Sequence, residues 1–481
     1  MVRFFRAMIF IGLIFSAAGA LSAAQAPQNW YVLKSATGSN NGTSWTNAWK
    51  EMNQINWSSI NCGDTVWLGG GTYTTGIDIG VTKNCASGAV LNVNRVLSTD
   101  SVPVAAAGWN SSFDSQVILT NINVEGPAAY ITINGREWQG GVLGSGGIEV
   151  VIPGTEGDGI DAGVHSFVAQ PIDHISWKYI EILGPACVEA GTCSGGGVVG
   201  VQIMPFCAGA IWTNLLMDHL SVHRTGEAFR GCGQDGTIVQ YSLIYDTHND
   251  GQQHPDLIYS NPPYQNVTWR YNKIFQSAND GLFFEGSTGA ANFRFYGNIM
   301  YEIAGWSIAF KTGSNYGPVF IYNNIFESDG VYSGEGYPTN FMGSGGSYNL
   351  VAGSEIANNI FYQGSNQFSS TSSDFNAYNG SGFGSLSETG TFYFPAGSPL
   401  NSFNGWMNMG SGNPVAADFH LTAAGATLFQ GKGKNLGAPY NVDMDGNTRP
   451  ASGPWTLGPF EVQGSGSNPP QAPTGLMATV Q

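Results

Sequence analysis

Charge is scarce in this chain. Only 10% of its 481 residues are Asp, Glu, Lys or Arg, and 17 basic residues face 33 acidic ones. Such a surface has no basic stripe to hold a phosphate backbone, which argues against nucleic acid as a partner. An anionic polysaccharide would also be repelled unless a local Arg/Lys cluster or bound cations intervened. Long apolar runs are missing except at the start, MVRFFRAMIFIGLIFSAAGALSAAQA. There Arg3 and Arg6 precede the short apolar stretch Met8–Phe15, and small residues lead to Ser22-Ala23-Ala24. This is the pattern of a secretory signal peptide cleaved after Ala24, too short for a membrane span. The expected mature protein is secreted or held at the cell surface and is not an integral membrane protein. Cysteines are few: Cys62, Cys85, Cys187, Cys193, Cys207 and Cys232. No pair has zinc-finger spacing, so they read as disulfides of an oxidising compartment. Neighbour pairing (62–85, 187–193, 207–232) is one of about 15 possible connectivities.

What is plentiful is glycine, 68 residues, with Asn, Ser, Thr and 12% aromatics, the make-up of a β-rich scaffold. Sliding the chain against itself exposes a repeat: ISWKYIEIL (175–183), LLMDHLSVH (215–223), IVQYSLIYD (238–246), VTWRYNKIF (267–275), FRFYGNIMY (293–301), VFIYNNIFE (319–327) and SEIANNIFY (354–362). A period near 25 with short strands points to an all-β, right-handed parallel β-helix. Aligning on Tyr241, Tyr271, Tyr296 and Tyr322 stacks Asn298, Asn324 and Asn359 as a structural asparagine ladder. A second repeat, aligned on Phe229, Tyr259, Phe284 and Phe310, places Arg230, Ser260, Glu285 and Lys311 in one column, with Glu285 and Lys311 forming an exposed ion pair. Ala48, Trp49, Met52 and Ile55 fall on one side of an amphipathic helix, which is expected to cap the first coil.

Three motifs carry a resemblance: DTVWLGGGTYT, the YNNIF and ANNIF repeats, and the tail VDMDGNTRPASGPWTLGPFEV (442–462). Together they resemble secreted, pectin-lyase-like β-helix proteins with a choice-of-anchor-like C-terminal region. The resemblance covers roughly residues 29–463 and implies architecture more than chemistry. Implied segments are 1–24 signal peptide, 25–115 cap and first coils, 116–400 β-helix, 401–463 anchor-like region, and 464–481 a Gly/Ser/Pro linker ending in a fibronectin-III-like stub. Asp443-Met444-Asp445-Gly446-Asn447 reads as a tight turn finishing the last coil, not as a calcium loop.

The densest polar stretch is YDTHNDGQQHPDLIYS, residues 245–260. It occupies the same connection as HRTGE (223–227) and QSANDG (276–281), with Asn249-Asp250-Gly251 echoed by Asn279-Asp280-Gly281 and Gln252–Asp256 inserted. The candidate catalytic residues are His248, Asp250, His254, Asp256, Asp280, Glu227 and Arg230, with Asp246, Asp250 and Asp256 as candidate Ca²⁺ ligands. Asn-Asp-Gly is also an ordinary turn, so the inserted part with His254 and Asp256 is the more telling. His219 and His223, in and at the end of a strand, read as packing or turn residues. Carboxylates one coil apart sit about 5 Å from each other and two coils apart roughly 9–10 Å, so either hydrolase geometry fits. A lyase would need a base, such as a histidine, Arg230 or Lys311, and a cation for the uronate carboxylate. The expectation is a monomeric carbohydrate-active enzyme, a polysaccharide lyase or glycoside hydrolase acting on an extracellular polysaccharide. No cofactor is required, and Ca²⁺ is the candidate ion. The rival is a non-catalytic adhesin that binds glycans.

Overall fold

A computed structural model describes residues 26–154, 157–162, 164–165, 168–185, 198–203, 212–248, 255–285, 290–311, 315–327, 340–343, 349–362, 372–379, 389–394, 419–421 and 423–462. Within them the chain winds into a right-handed parallel β-helix, the hand that strand–crossover–strand connections almost always take. Each repeat segment found in the sequence is two short strands joined by a bend. Leu216–His223, for example, pairs in one half with Ile238–Gln240 and in the other with Leu243–Tyr245. The first half belongs to one face of the helix and the second half to the next. Strands such as Glu227–Asp235 and Ile258–Gln265 form the third face.

The interior is built from columns. On the second face the inward column runs Leu119, Val150, Ile182, Val222, Ile244, Ile274, Met300, Phe326, Phe361 and Tyr378, all buried. Each such side chain contributes about 1.5–3 kcal/mol through removal from water. The rings continue the stack directly, with Phe326 5.1 Å from Phe361 and Phe361 5.0 Å from Tyr378.

The asparagine ladder is present and longer than the sequence repeat suggested: Asn272, Asn298, Asn324, Asn359 and Asn376. Each Oδ1 accepts the backbone N–H of the previous rung at 2.8–3.0 Å. Each Nδ2 donates to a strand carbonyl, as Asn298 does to Trp269 at 2.9 Å. The ladder thereby satisfies the buried polar groups of the bend. The register corrects the tyrosine alignment by one residue. Tyr296 and Tyr322 pair with Arg270 and Gln240, so the counterpart of Tyr271 is Gly297. Tyr179, His219, Tyr241, Tyr271, Gly297, Asn323 and Asn358 all take left-handed φ at this bend. Glycine is needed at 297 for a second reason, because a Cβ there would lie 2.7 Å from the Tyr271 ring.

The N-terminal cap buries Ala48, Trp49, Met52 and Ile55, but not on an α-helix. Trp49 is held extended in a bridge to Val32, leaving only 3-10 turns at Met52–Gln54 and Trp57–Ser59. Cys62 and Cys85 form the expected disulfide. Cys232 is also disulfide-bonded, and Cys187, Cys193 and Cys207 lie outside the described residues.

Residues 419–421 and 423–462 run as a strap along the side of the helix. Phe419 packs on Tyr301, Phe429 on Phe394, and Tyr440 edge-on against both Tyr296 and Tyr322. The Tyr271 hydroxyl donates to the Val442 carbonyl at 3.0 Å. Beneath the strap the outward positions of the second face are mostly apolar (Phe275, Ile299, Tyr301, Ile325, Ile360, Tyr362) and buried, with the buried Glu327 among them. On earlier coils the outward positions hold Glu149, Glu181 and His223 instead. Residues 443–447 do form a tight turn, with Asp443 Oδ1 accepting from the amides of Asp445 and Asn447 at 3.0 and 2.7 Å. The turn lies beside Tyr271 on the flank and does not finish the last coil, because its partners are the tyrosines of the middle coils. No helix among the described residues is long and apolar enough to cross a membrane.

Candidate functional site

The third face carries two polar columns. One sits at the corner where the chain enters the face. Asp158 pairs through Val199 with Glu227, and the pairing of Phe229 with Ile258 and of Ile258 with Leu282 extends this column to Asp256 and Asp280. The counterpart of Asp280 is therefore Asp256, inside the segment the repeat had singled out as inserted. The second column points outward and runs Asp161, Gln202, Arg230, Tyr259, Phe283 and Ala309. Arg230 thus aligns with Tyr259, not with Ser260 and Lys311 as the aromatic alignment had it. Glu285 and Lys311 do share a column and form an ion pair.

Geometry divides the acids into two groups. Glu227, Asp256 and Asp280 are buried at 1%, 0% and 4% exposure, which closes them to a polymeric substrate. Their carboxylates have local partners. Glu227 Oε2 accepts from Arg230 Nε at 2.6 Å. Asp256 Oδ1 accepts from the Asp280 amide and from Asn279 Nδ2, both at 3.0 Å. Asp280 Oδ1 accepts from the Trp306 amide at 2.7 Å. Each aspartate thus caps the turn of the following coil. Burial, and then the neighbouring Asp280 charge, push the Asp256 carboxyl well above the usual range.

Asp158 and Asp161, which the sequence reading passed over, are the accessible pair. Both are half-buried, and the buried Gly159 and Ile160 between them turn into the core. Three residues along an extended strand separate their Cα atoms by roughly 10 Å. Burial pushes Asp158 up to about 6, with Arg230 opposing and Glu227 adding to the rise. Burial, and then the charge of Asp158, push Asp161 up to about 7. Asp158 Oδ2 accepts from Gln202 Nε2 at 3.0 Å, whereas Asp161 Oδ1 is buried without a hydrogen-bond partner. The signal missed in the sequence was Asp158-Gly159-Ile160-Asp161, which its glycine-rich surroundings made look like a loop.

The histidines lie on the other side of the Arg224–Gly226 turn. His223 Nε2 is 3.1 Å from Glu181, and His248 Nε2 is 3.1 Å from Asp246. Burial alone would raise Asp246, but the hydrogen bond with His248 and the nearby His223 and Arg224 hold it below the usual carboxylate range. Asp250 and His254 lie outside the described residues. Among the described residues no group of three or more His, Cys, Asp or Glu is placed to hold a metal ion.

No family model and no curated protein matches the chain. Solved structures similar to it include the pectate lyase Pel9A, with 13% identity, TM-score 0.45, and coverage of 91% of this chain and 97% of that one. Another is the complex of XylC with xylose, with 10% identity, TM-score 0.49, and coverage of 92% and 99%. A third is a mannuronic acid-specific polysaccharide family 6 lyase from human gut microbiota, with 13% identity, TM-score 0.38, and coverage of 72% and 89%. Similarity at this level bears on the fold and carries no argument about chemistry.

Proposed function

We propose that the protein is an exported, monomeric carbohydrate-active enzyme that hydrolyses a polysaccharide laid along the third face, with Asp158 and Asp161 as its acid–base pair. The observation that carries this reading is the pair itself. Two accessible carboxyls have burial-raised pKa values, so that near neutral pH one holds a proton while the other is ionised. Glycoside hydrolysis needs that division of labour. The protonated carboxyl gives its proton to the departing glycosidic oxygen. The ionised one takes a proton from the water that attacks the anomeric carbon, and the two fragments leave as a new reducing end and a free hydroxyl.

Arg230, fixed by Glu227, sits two coils away in the outward column and hydrogen-bonds or orients the sugar. Among the described residues it is the one cation in that column, and its pairing with Glu227 weighs against its serving a uronate carboxylate as a lyase needs. Hydrolysis of a neutral or weakly charged polymer fits better. Neither proton transfer draws on a metal, and treatment with EDTA is expected to leave the rate unchanged. The test is incubation with neutral and uronic polysaccharides. New reducing ends without absorbance at 235 nm support hydrolysis, and unsaturated ends would establish a lyase instead. Binding without either product, unaltered in Asp158→Asn and Asp161→Asn, would establish an adhesin.

A further inference from the structure

The left-handed bend between the first and second faces is covered by the strap only in part. From Tyr271 to Asn358 the strap lies on it, through Val442, Tyr440 and Lys434. Upstream the same bend presents a ladder of rings. Tyr179 stacks on His219 at 4.4 Å, His219 on Tyr241 at 5.3 Å, and Tyr241 on Tyr271 at 5.1 Å. Trp138 meets Tyr179 and His219 edge-on at 5.8 and 5.9 Å. All four upstream side chains are half-buried.

Holding such a stack is costly, because Tyr179, His219 and Tyr241 each take a left-handed φ of 50–56°. Asn and Gly occupy the equivalent places downstream at lower cost. The polar ends of the rings are unused. His219 Nδ1 is committed to Asp218 at 2.8 Å, and Gln240 Nε2 donates to the same carboxylate at 3.2 Å. His219 Nε2, the hydroxyls of Tyr179 and Tyr241, and Trp138 Nε1 make no hydrogen bond among the described residues, and none is a buried orphan, so they open to solvent.

We propose that this uncovered stretch of the bend, Trp138–Tyr179–His219–Tyr241, is a second glycan-binding site, separate from the third face, that holds a neutral polysaccharide alongside the helix. Three arguments single out this occupant. Rings with polar tips match a ligand that presents C–H faces and hydroxyls together. Asp218 and Glu137 are matched at the strip by Lys178, beside Asp218 in register, and by Arg270, which is held by the neutral Gln240, while Arg136 is paired with Asp100. A strip with no excess positive charge favours a neutral glycan over a polyuronate. Finally, the strip continues a surface on which an extended chain, the strap, already lies. The site rests on the reading of the protein as carbohydrate-active, and its role is to keep the enzyme on a polymer.

The experiment is affinity electrophoresis of the full chain in gels containing xylan, mixed-linkage β-glucan or galactomannan, with polygalacturonate for comparison. It is run in wild type and in the Asp161→Asn background. Tyr179→Ala/His219→Ala and Trp138→Ala are expected to weaken retardation by a retained neutral glycan at least tenfold. They should leave turnover of short oligosaccharides and the far-UV circular dichroism unchanged. Tyr179→Phe, which keeps the stack and removes only the hydroxyl, is expected to fall between them. Unchanged retardation in the ring variants, preference for polygalacturonate, or no retardation by any gel would overturn the proposal. Retardation that depends on the rings in a protein that cleaves none of these polymers would overturn the hydrolase reading and leave this site standing.

Discussion

Asp158 and Asp161 differ from Asp256 and Asp280 in what their carboxylates are free to do. The first two are half-buried at the side of the third face, with Asp158 bonded to the Gln202 side chain; the second two are buried and cap turns. If Asp158 and Asp161 work as a pair, kcat/KM should peak between about pH 6 and 7, the values to which they are displaced. Asp161→Asn should lower kcat by roughly 10²–10⁴-fold without unfolding the protein. Asp280→Asn should behave in the opposite way, keeping activity and changing the pH dependence of stability. The folded Asp280 holds its proton up to about 7, against an ordinary 3.8, so its contribution is complete below the lower value and is lost as pH rises through the higher one. Thermal melts of the wild type should therefore show a Tm that climbs from pH 8 to pH 5, and the Asn variant should flatten that climb. Little of this contrast was legible in the sequence. An Asp-x-x-Asp among glycines looks like a loop until the coil register places it beside Gln202 and Arg230. Asp256 drew attention for its local polarity, and what it does with that polarity is seal a turn.

The repeating elements were far easier to read, because a parallel coil puts the same physical demand on each rung. The asparagine bend was visible at 298, 324 and 359, since stacked amides are selected position by position. Asn272 was missed because alignment on the tyrosines slid that rung by one residue. The left-handed position that takes Tyr271 is filled by Gly297 in the next coil, and a sequence pattern carries no φ angle. The ladder should dominate local stability. Asn298→Ala orphans the Asn272 amide and the Trp269 carbonyl, at a cost of about 1–3 kcal/mol for each group, measurable by urea unfolding. Lys311→Ala breaks only a partly exposed ion pair and should cost about 0–1 kcal/mol in the same assay. Equal costs for the two substitutions would show that the ladder is ornamental. The cap makes a related point. Its buried set was read correctly from periodicity, but Trp49 was claimed by a β-bridge to Val32, a tertiary contact that outweighs a helical pattern dense in Asn and Ser.

At the scale of the whole molecule the strap separates a polar early flank from an apolar late one. Its own order depends on Arg449, which is buried and donates to Glu461 at 2.9 Å and to the carbonyls of Thr456 and Gly458. Glu461→Gln would remove the carboxylate bonded to that guanidinium, leaving Asp443 as the acid still near it, and should cost up to about 3–5 kcal/mol, read as earlier unfolding and binding of a hydrophobic dye. The location of 442–462 on the flank was not legible in the sequence, since nothing local in Asp443–Asn447 says which coil it will touch. The bond from Tyr271 to Val442 spans 171 residues, and through it a late segment of the chain covers a surface laid down much earlier. Contacts of such long sequence separation form slowly. The coils from Phe275 to Phe394 must therefore wait, with their apolar side open, until the strap has emerged. During that interval a half-made molecule is most exposed to sticking to its neighbours.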